Sequence, residues 1–274
     1  MAEYKIGTFA RNLGVTSSLL KHYEKYHLIN SKKNNLNGYR YYCFTQTPTI
    51  LRIKQLQKLG FTLREIAETL HNCTPKEMNE KLEQKIEDIH SEILKKQLAL
   101  KEATQLQASL LQICQEQYEG NWTIAQTPSM FFLPHSNSLD FVDLNDHESE
   151  QLKNWMEHFP LTKQAAMVNH KTHDYQYGLA IEQQIAHQLE LNIEHPKPIT
   201  LNGGKSLIYP LTCTSFELYG QNYIERLLEK PLNLLTKMGI EVNGPIYIET
   251  IIETTINQKR AVYYQIRVPL NVDI

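Results

Sequence analysis

The sequence predicts an α+β chain in three successive parts, on three observations. Two short helical patterns separated by Gly14 precede an Asn-Gly pair at Asn37-Gly38, all within residues 1–74. Residues 75–119 hold no glycine and repeat apolar residues every three or four positions. From Thr123 onward the order strand, helix, strand, strand occurs twice. These imply a winged helix-turn-helix over 1–74, a dimerisation helix in a coiled coil over 75–119, and a duplicated βαββ unit with an antiparallel sheet over 120–274.

In the first part, Ile6, Phe9, Ala10 and Leu13 fall at helical spacing, and Gly14-Val15 breaks the pattern. Thr16 or Ser17 can cap a second helix, which buries Leu19, Leu20 and Tyr23. "NNLNGYRYY" (34–42) then reads as a hairpin, because an Asn-Gly pair favours the tight type I′ turn. A hairpin after a helix-turn-helix is a wing, whose basic side chains reach phosphates while the second helix lies in the major groove. A third helix, Thr45 to Gly60, carries Ile50, Ile53, Leu56 and Leu59 on one face. The helix after it opens with the capping box Thr62-x-x-Glu65.

Charge follows the same division. The 274 residues sum to -2, yet residues 1–74 carry eleven Lys/Arg against four Glu, a net of +7. The middle part is -3 and the remainder -6. A basic head on an acidic body suits a polyanion held at one end.

Leu82, Ile86, Ile89, Ile93, Leu100, Ala103, Leu106, Leu110 and Ile113 form a single apolar stripe on the middle helix. A stripe that long needs a partner, and a second copy of the chain supplies one.

Past "EGNWT", the first repeat is Ile124–Leu133, a helix over Glu148–Phe159, Ala165–Asn169 and Tyr175–Glu182. The second is Ser206–Cys213, a helix over Phe216–Met238, Ile246–Thr255 and Ala261–Leu270. Strand alternation puts Ile246, Ile248, Thr250 and Ile252 on one face of the third segment, and Tyr247, Glu249, Ile251 and Glu253 on the other. In the last segment, Val262, Tyr264, Ile266 and Val268 form the apolar face, with Tyr263, Gln265 and Arg267 opposite. Helices covering the apolar faces leave the polar-aromatic faces to line a ligand cleft. Tyr247, Glu249, Glu253, Tyr263 and Gln265 are its candidate residues. Tyrosines around a carboxylate suit a lipophilic, flat, cationic molecule.

The blocks "YKIGTFARNLGVTSSLLKHYEKYHLI", "NGYRYY" and "RIKQLQKLGFTLREI" resemble the MerR family of transcription regulators in kind and order, over about residues 4–118. "NGPIY", the helix before it and "QIRVPL" more faintly resemble the GyrI-like effector-binding domain of multidrug-sensing members such as BmrR. The resemblance implies a homodimer with antiparallel dimerisation helices, seated on promoter double-stranded DNA. Ligand binding would bend and untwist the spacer so that RNA polymerase engages. It assigns DNA contacts to Thr16, Ser17, Ser18, Lys21, His22 and Tyr23 of the recognition helix, and to Lys32, Lys33, Tyr39, Arg40 and Tyr42 of the wing. Where the family usually has Arg-Tyr-Tyr, this chain has Lys21-His22-Tyr23, and lysine lacks the planar fork for bidentate guanine contact. Where multidrug members tend to carry Glu on the closing strand, it has Gln265.

Two other function classes have partial support in the residues. A metal or thiol sensor would use Cys73 and Cys114 at the two ends of the long helix, but a third ligand is missing. Hydrolase activity, found in some GyrI-like domains, would need a nucleophile–base arrangement or phosphate loop, and neither is legible. The expectation is a sensor rather than an enzyme, without cofactor or metal. Scattered cysteines and the lack of any long apolar window point to the cytoplasm, away from membranes.

Overall fold

The computed structural model describes residues 2–33, 38–115, 118–194, 197–214, 222–256 and 259–271. The chain divides into two compact units, Met1–Leu94 and Lys95–Ile274.

The first unit runs β1 (Glu3–Lys5), α1 (Ile6–Asn12), α2 (Ser17–Lys25), β2 (Lys32–Lys33), β3 (Arg40–Cys43), α3 (Thr47–Lys58) and α4 (Leu63–Asn72). Gly14 and Gly60 sit at φ +64° and +88°, where a Cβ would be strained, and each ends a helix. Thr16 caps α2, its hydroxyl accepting from the Leu19 N–H at 3.1 Å. The Thr62–Glu65 capping box is present in both directions. Phe9, Leu20, Tyr23, Tyr42, Ile50, Ile53, Phe61 and Ile66 make one core.

The wing differs from its expected form. A two-residue Asn37-Gly38 turn would set Lys33 opposite Tyr42, whereas Lys33 pairs with Arg40 and Lys32 with Tyr41. Asn34–Asn37 lie outside the described residues. The register answers to the core instead. Tyr42 is fully buried, stacks on Phe9 at 5.3 Å, and pairs with Tyr4 of β1, a strand the sequence did not announce.

Helix α5 (Pro75–Ile113) starts on a Thr74–Glu77 cap, the Thr74 N–H donating to Glu77 Oε2 at 2.7 Å. Met78 and Leu82 pack on the first unit's core. Lys85 closes this end, with Nζ 3.1 Å from Glu65 Oε1 and 5.3 Å from the Phe61 ring centroid. Ile86, Ile89, Ile93, Leu100 and Leu106 are exposed. Glu102 is the helix's one buried residue among those described.

The second unit continues as β4 (Thr123–Thr127), β5 (Met130–Pro134), β6 (Ser136–Asn137), β7 (Asp140–Phe141), α6 (Asp146–Met156), β8 (Lys163–Val168), β9 (Tyr175–Glu182), α7 (Gln183–Gln188), β10 (Ile199–Leu201), β11 (Gly204–Thr214), α8 (Tyr223–Met238), β12 (Ile246–Ile256) and β13 (Lys259–Pro269). Eight described strands form one antiparallel sheet in the order β10-β5-β9-β8-β12-β13-β11-β4. The duplication is visible in it: β5-β9-β8 on one side of the centre answers β11-β13-β12 on the other. The expected strand Ile124–Leu133 is two strands, β4 at one edge of the sheet and β5 next to the strand at the other edge. Pro128 has no N–H to continue a ladder, and the chain breaks there. The expected helix start, Phe216 to Gln221, lies outside the described residues.

One sheet face is mostly apolar. Leu207, Ile246, Ile248, Val262, Ile266 and Val268 pack under Tyr223, Ile224, Leu227 and Leu228 of α8. Phe131, Leu133, Leu179 and Ile181 pack under Trp155 of α6 and Ile185 of α7.

Glu65 yields a pH prediction. The Thr62 backbone N–H and hydroxyl, with Lys85 adding to them, hold its carboxyl down at about 2, below the ordinary 4.5. A depressed carboxyl stabilises the fold above its unfolded pKa, and that contribution disappears as pH falls from about 4.5 to about 2. Glu65→Gln should therefore lower the urea midpoint at pH 7, with the gap to wild type closing as pH falls to about 2. Parallel curves at both pH values would contradict this.

Candidate functional site

Helix α2 shows Thr16, Ser18, Lys21, His22 and Lys25 to solvent, with Ser17 half-buried. On the wing, Lys33 and Tyr39 are exposed, as is Lys32, paired with Glu3 at 2.6 Å. The Lys5 ammonium sits 5.2 Å from the Tyr39 ring centroid. Hydroxyls and ammonium groups on one helix and one strand pair can grip phosphates.

Two expected contacts are corrected. Tyr23 and Tyr42 are both fully buried. Helical spacing puts Tyr23 beside Leu20 on the core face, where its hydroxyl donates to Gln57 Oε1 at 2.7 Å. Strand alternation points Tyr42 inward and Tyr41 away. Arg40 is half-buried, with Nε 3.1 Å from Glu24 Oε2, so it ties the wing to α2 before it can hold a phosphate. Lys5, Arg11 and Lys25, counted in the basic charge of the head but given no contact from sequence, are exposed as well.

On the sheet face away from α8, a charged cluster forms. Glu249 is 6% exposed, and its two oxygens face different cations: Oε1 lies 3.2 Å from Lys163 Nζ, and Oε2 2.8 Å from Arg267 Nη2. Lys163 Nζ also stands 3.2 Å from Glu102 Oε2 on α5. Arg267 lies 5.0 Å from the Tyr247 ring centroid and donates from Nε to Gln265 Oε1 at 3.3 Å. Burial, then Glu249, pushes the Tyr247 hydroxyl far above its ordinary value. Burial pulls Lys163 down, but Glu249 and Glu102 outweigh it and hold the ammonium above its ordinary value. The Lys163 ammonium thus stays charged, and the cluster sets two acidic side chains against two basic ones. Tyr263 is half-buried on the same face, its ring 5.8 Å from Tyr118, whose hydroxyl burial pushes up to about 12.

Tyr247, Glu249, Tyr263 and Gln265 thus share a face, but Glu253 does not. The register of β12 against β13 slips between Thr250 and Ile252, so Ile252 pairs with Tyr263 and Glu253 with Val262. The extra residue inverts the alternation and turns Glu253 to the other side. There it is exposed and accepts from Arg260 Nη2 at 2.6 Å, the bond that lowers its pKa. Lys163 and Glu102 were missed altogether. One signal was available for Glu102, which lies four residues from Leu98 and four from Leu106, on the apolar side of α5.

The cavity beside Tyr247 and Arg267, bounded by Met130, Leu201 and Ser206, holds about 30 Å³, room for a water molecule. A larger groove of about 850 Å³ lies at the strand ends, lined by Met167, Asn169, His170, Tyr175, Gln176 and Asn243. Cys73 is half-buried and Cys114 exposed.

Residues 4–73 match the family described as "MerR HTH family regulatory protein", and residues 49–110 match "MerR, DNA binding". An uncharacterized HTH-type transcriptional regulator of Synechocystis sp. is 32% identical over 93 residues, covering 32% of this chain and 68% of its own length. The chain belongs to the MerR family. A mercuric resistance operon regulatory protein of Bacillus cereus is 35% identical over 68 residues, which is 25% of this chain and 52% of that one, so the match spans about half of that relative. Two solved structures are similar at low scores. EcmrR, in complex with DNA, has a TM-score of 0.36 at 14% identity, covering 97% of this chain and 99% of that one. SAV2435, bound to tetraphenylphosphonium, has a TM-score of 0.31 at 9% identity, covering 54% and 93%. Scores this low lend no weight to shape or ligand. MerR membership is established for the basic, helical third of the chain.

The two tyrosine classes of the wing give opposite outcomes on mutation. Tyr42→Ala empties a core position and should cost about 3–5 kcal/mol in chemical denaturation. Tyr39→Ala, at an exposed position, should stay within about 0.5 kcal/mol of wild type. Equal losses would contradict the placement.

Proposed function

We propose that this MerR-family chain is a ligand-responsive transcription regulator. As a homodimer it binds promoter DNA through α2 and the wing. A lipophilic small molecule, held on the tyrosine–carboxylate face of the second unit, makes the dimer distort the promoter spacer for RNA polymerase. The observation that carries the ligand half is the buried Glu249 beside Tyr247, Tyr263 and Gln265, on the sheet face that holds the buried charge cluster. Aromatic walls with a few fixed polar groups are how ligand sites combine tolerance with orientation. A drug-sized ligand needs roughly 300 Å³ or more, so binding opens the closed face rather than filling a ready cavity. A ligand shifts the regulator only by preferring one of its two states. No covalent change in the ligand is part of this reading. No described helix is long and apolar enough to cross a membrane, and the proposed setting is the cytoplasm.

The test is a thermal-shift series over lipophilic cations, neutral dyes and metal ions, because a ligand that prefers the folded state raises Tm. Organic ligands should raise Tm. Tyr247→Ala should lose that rise, and Cys73→Ser with Cys114→Ser should keep it. Induction lost in the serine pair and kept in Tyr247→Ala would put a metal or redox sensor in its place.

The dimer reading rests on Ile86, Ile89 and Ile93, exposed along α5. Glu at both Ile89 and Ile93 should yield monomers in light scattering and lower DNA affinity at least tenfold. A monomeric wild type at micromolar concentration would overturn it.

A further inference from the structure

The charge cluster specifies how a ligand would be sensed, an inference that rests on the ligand face proposed above. Glu249 offers no bare carboxylate to an incoming cation, since Lys163 and Arg267 already stand at 3.2 and 2.8 Å. Adding a third positive charge to a buried, balanced set is unfavourable unless one resident cation leaves. The two residents are not equally replaceable. Arg267 is fixed by Gln265 and by the Tyr247 ring as well as by Glu249. Lys163 is a point charge on a flexible stem, at the first residue of β8, and its ion pairs are to two carboxylates.

The second of those carboxylates belongs to α5. Glu102 is the helix's single buried residue, 6% exposed, and Lys163 is its ion-pair partner. If the ammonium departs, Glu102 is left as a buried charge without a counter-ion, a state proteins avoid by exposing the group to water. The turn of α5 that carries it must then move.

We propose that Lys163 is an internal stand-in for a cationic effector: a lipophilic monocation takes its place at Glu249, and the displaced ammonium releases Glu102 and with it the adjoining turn of α5. Lys163 is a positioning residue in this scheme. It holds the helix in the unliganded state and touches the ligand's site only by vacating it.

The test compares full-length wild type, Lys163→Met and Glu102→Gln. Rhodamine 6G serves as cationic probe and Nile red as neutral one, with amide hydrogen exchange of residues 98–106 as the readout on the helix. In Lys163→Met the resident competitor is gone, so rhodamine affinity should rise about tenfold while Nile red affinity stays within twofold. A merely structural role would weaken both alike. Without any ligand, Lys163→Met should exchange residues 98–106 faster than wild type. Lys163→Arg, which keeps the charge, should restore wild-type protection. In Glu102→Gln, rhodamine should bind yet cause no exchange change in that segment, because nothing charged is left behind. Rhodamine affinity in Lys163→Met equal to or below wild type would overturn the proposal. So would unchanged protection of residues 98–106 in ligand-free Lys163→Met. If wild type binds neither dye, the ligand reading fails, and the ligand-free exchange comparison still decides whether Lys163 holds the helix.

Discussion

A carboxylate in the middle of a sheet must be answered by positive charge, and Glu249 sets that constraint for the second unit. Its demand fixes what neighbouring strands carry. β13 supplies Arg267 at the position opposite Tyr247, and β8 supplies Lys163 at its first residue. The lysine in turn accommodates a buried carboxylate on α5. Four charges that would each be costly alone cancel as a set. An apolar core of the same volume could serve the fold as well, so a retained charge cluster at this place is more informative about function than about stability.

The first unit is built by the opposite economy, with charge kept outside and aromatic residues doing the anchoring. Tyr23 and Tyr42 pin the recognition helix and the wing to one core, and Glu24 links the two across Arg40. What remains for a polyanion is a set of short hydroxyls and ammonium groups on rigid elements. Such a surface binds phosphates in register.

Much of this was legible in the sequence, and the failures have specific causes. Helix punctuation by Gly14 and Gly60, the Thr62–Glu65 cap and the glycine-free run of α5 each rest on local chemistry, and each was read correctly. The second repeat was legible because long β-branched runs alternate without interruption. Three features were not. The slip between Thr250 and Ile252 leaves no mark in composition, yet it moves Glu253 to the far face. The wing register was read from a dipeptide, while burial of Tyr42 decides it. Lys163 and Glu102 become partners only through the fold, 61 positions apart by their numbers, and a lysine and a glutamate in a charged sequence carry no local sign of burial.

The central claim is that a ligand changes the shape of bound DNA rather than releasing it. Its most direct measurement is fluorescence energy transfer between the ends of a short promoter duplex held by the full-length dimer, before and after adding a lipophilic cation. The account predicts a change in end-to-end transfer, with the fraction of DNA bound unchanged and the change absent in Tyr247→Ala. A ligand that binds and leaves transfer constant, or that frees the DNA, would contradict it.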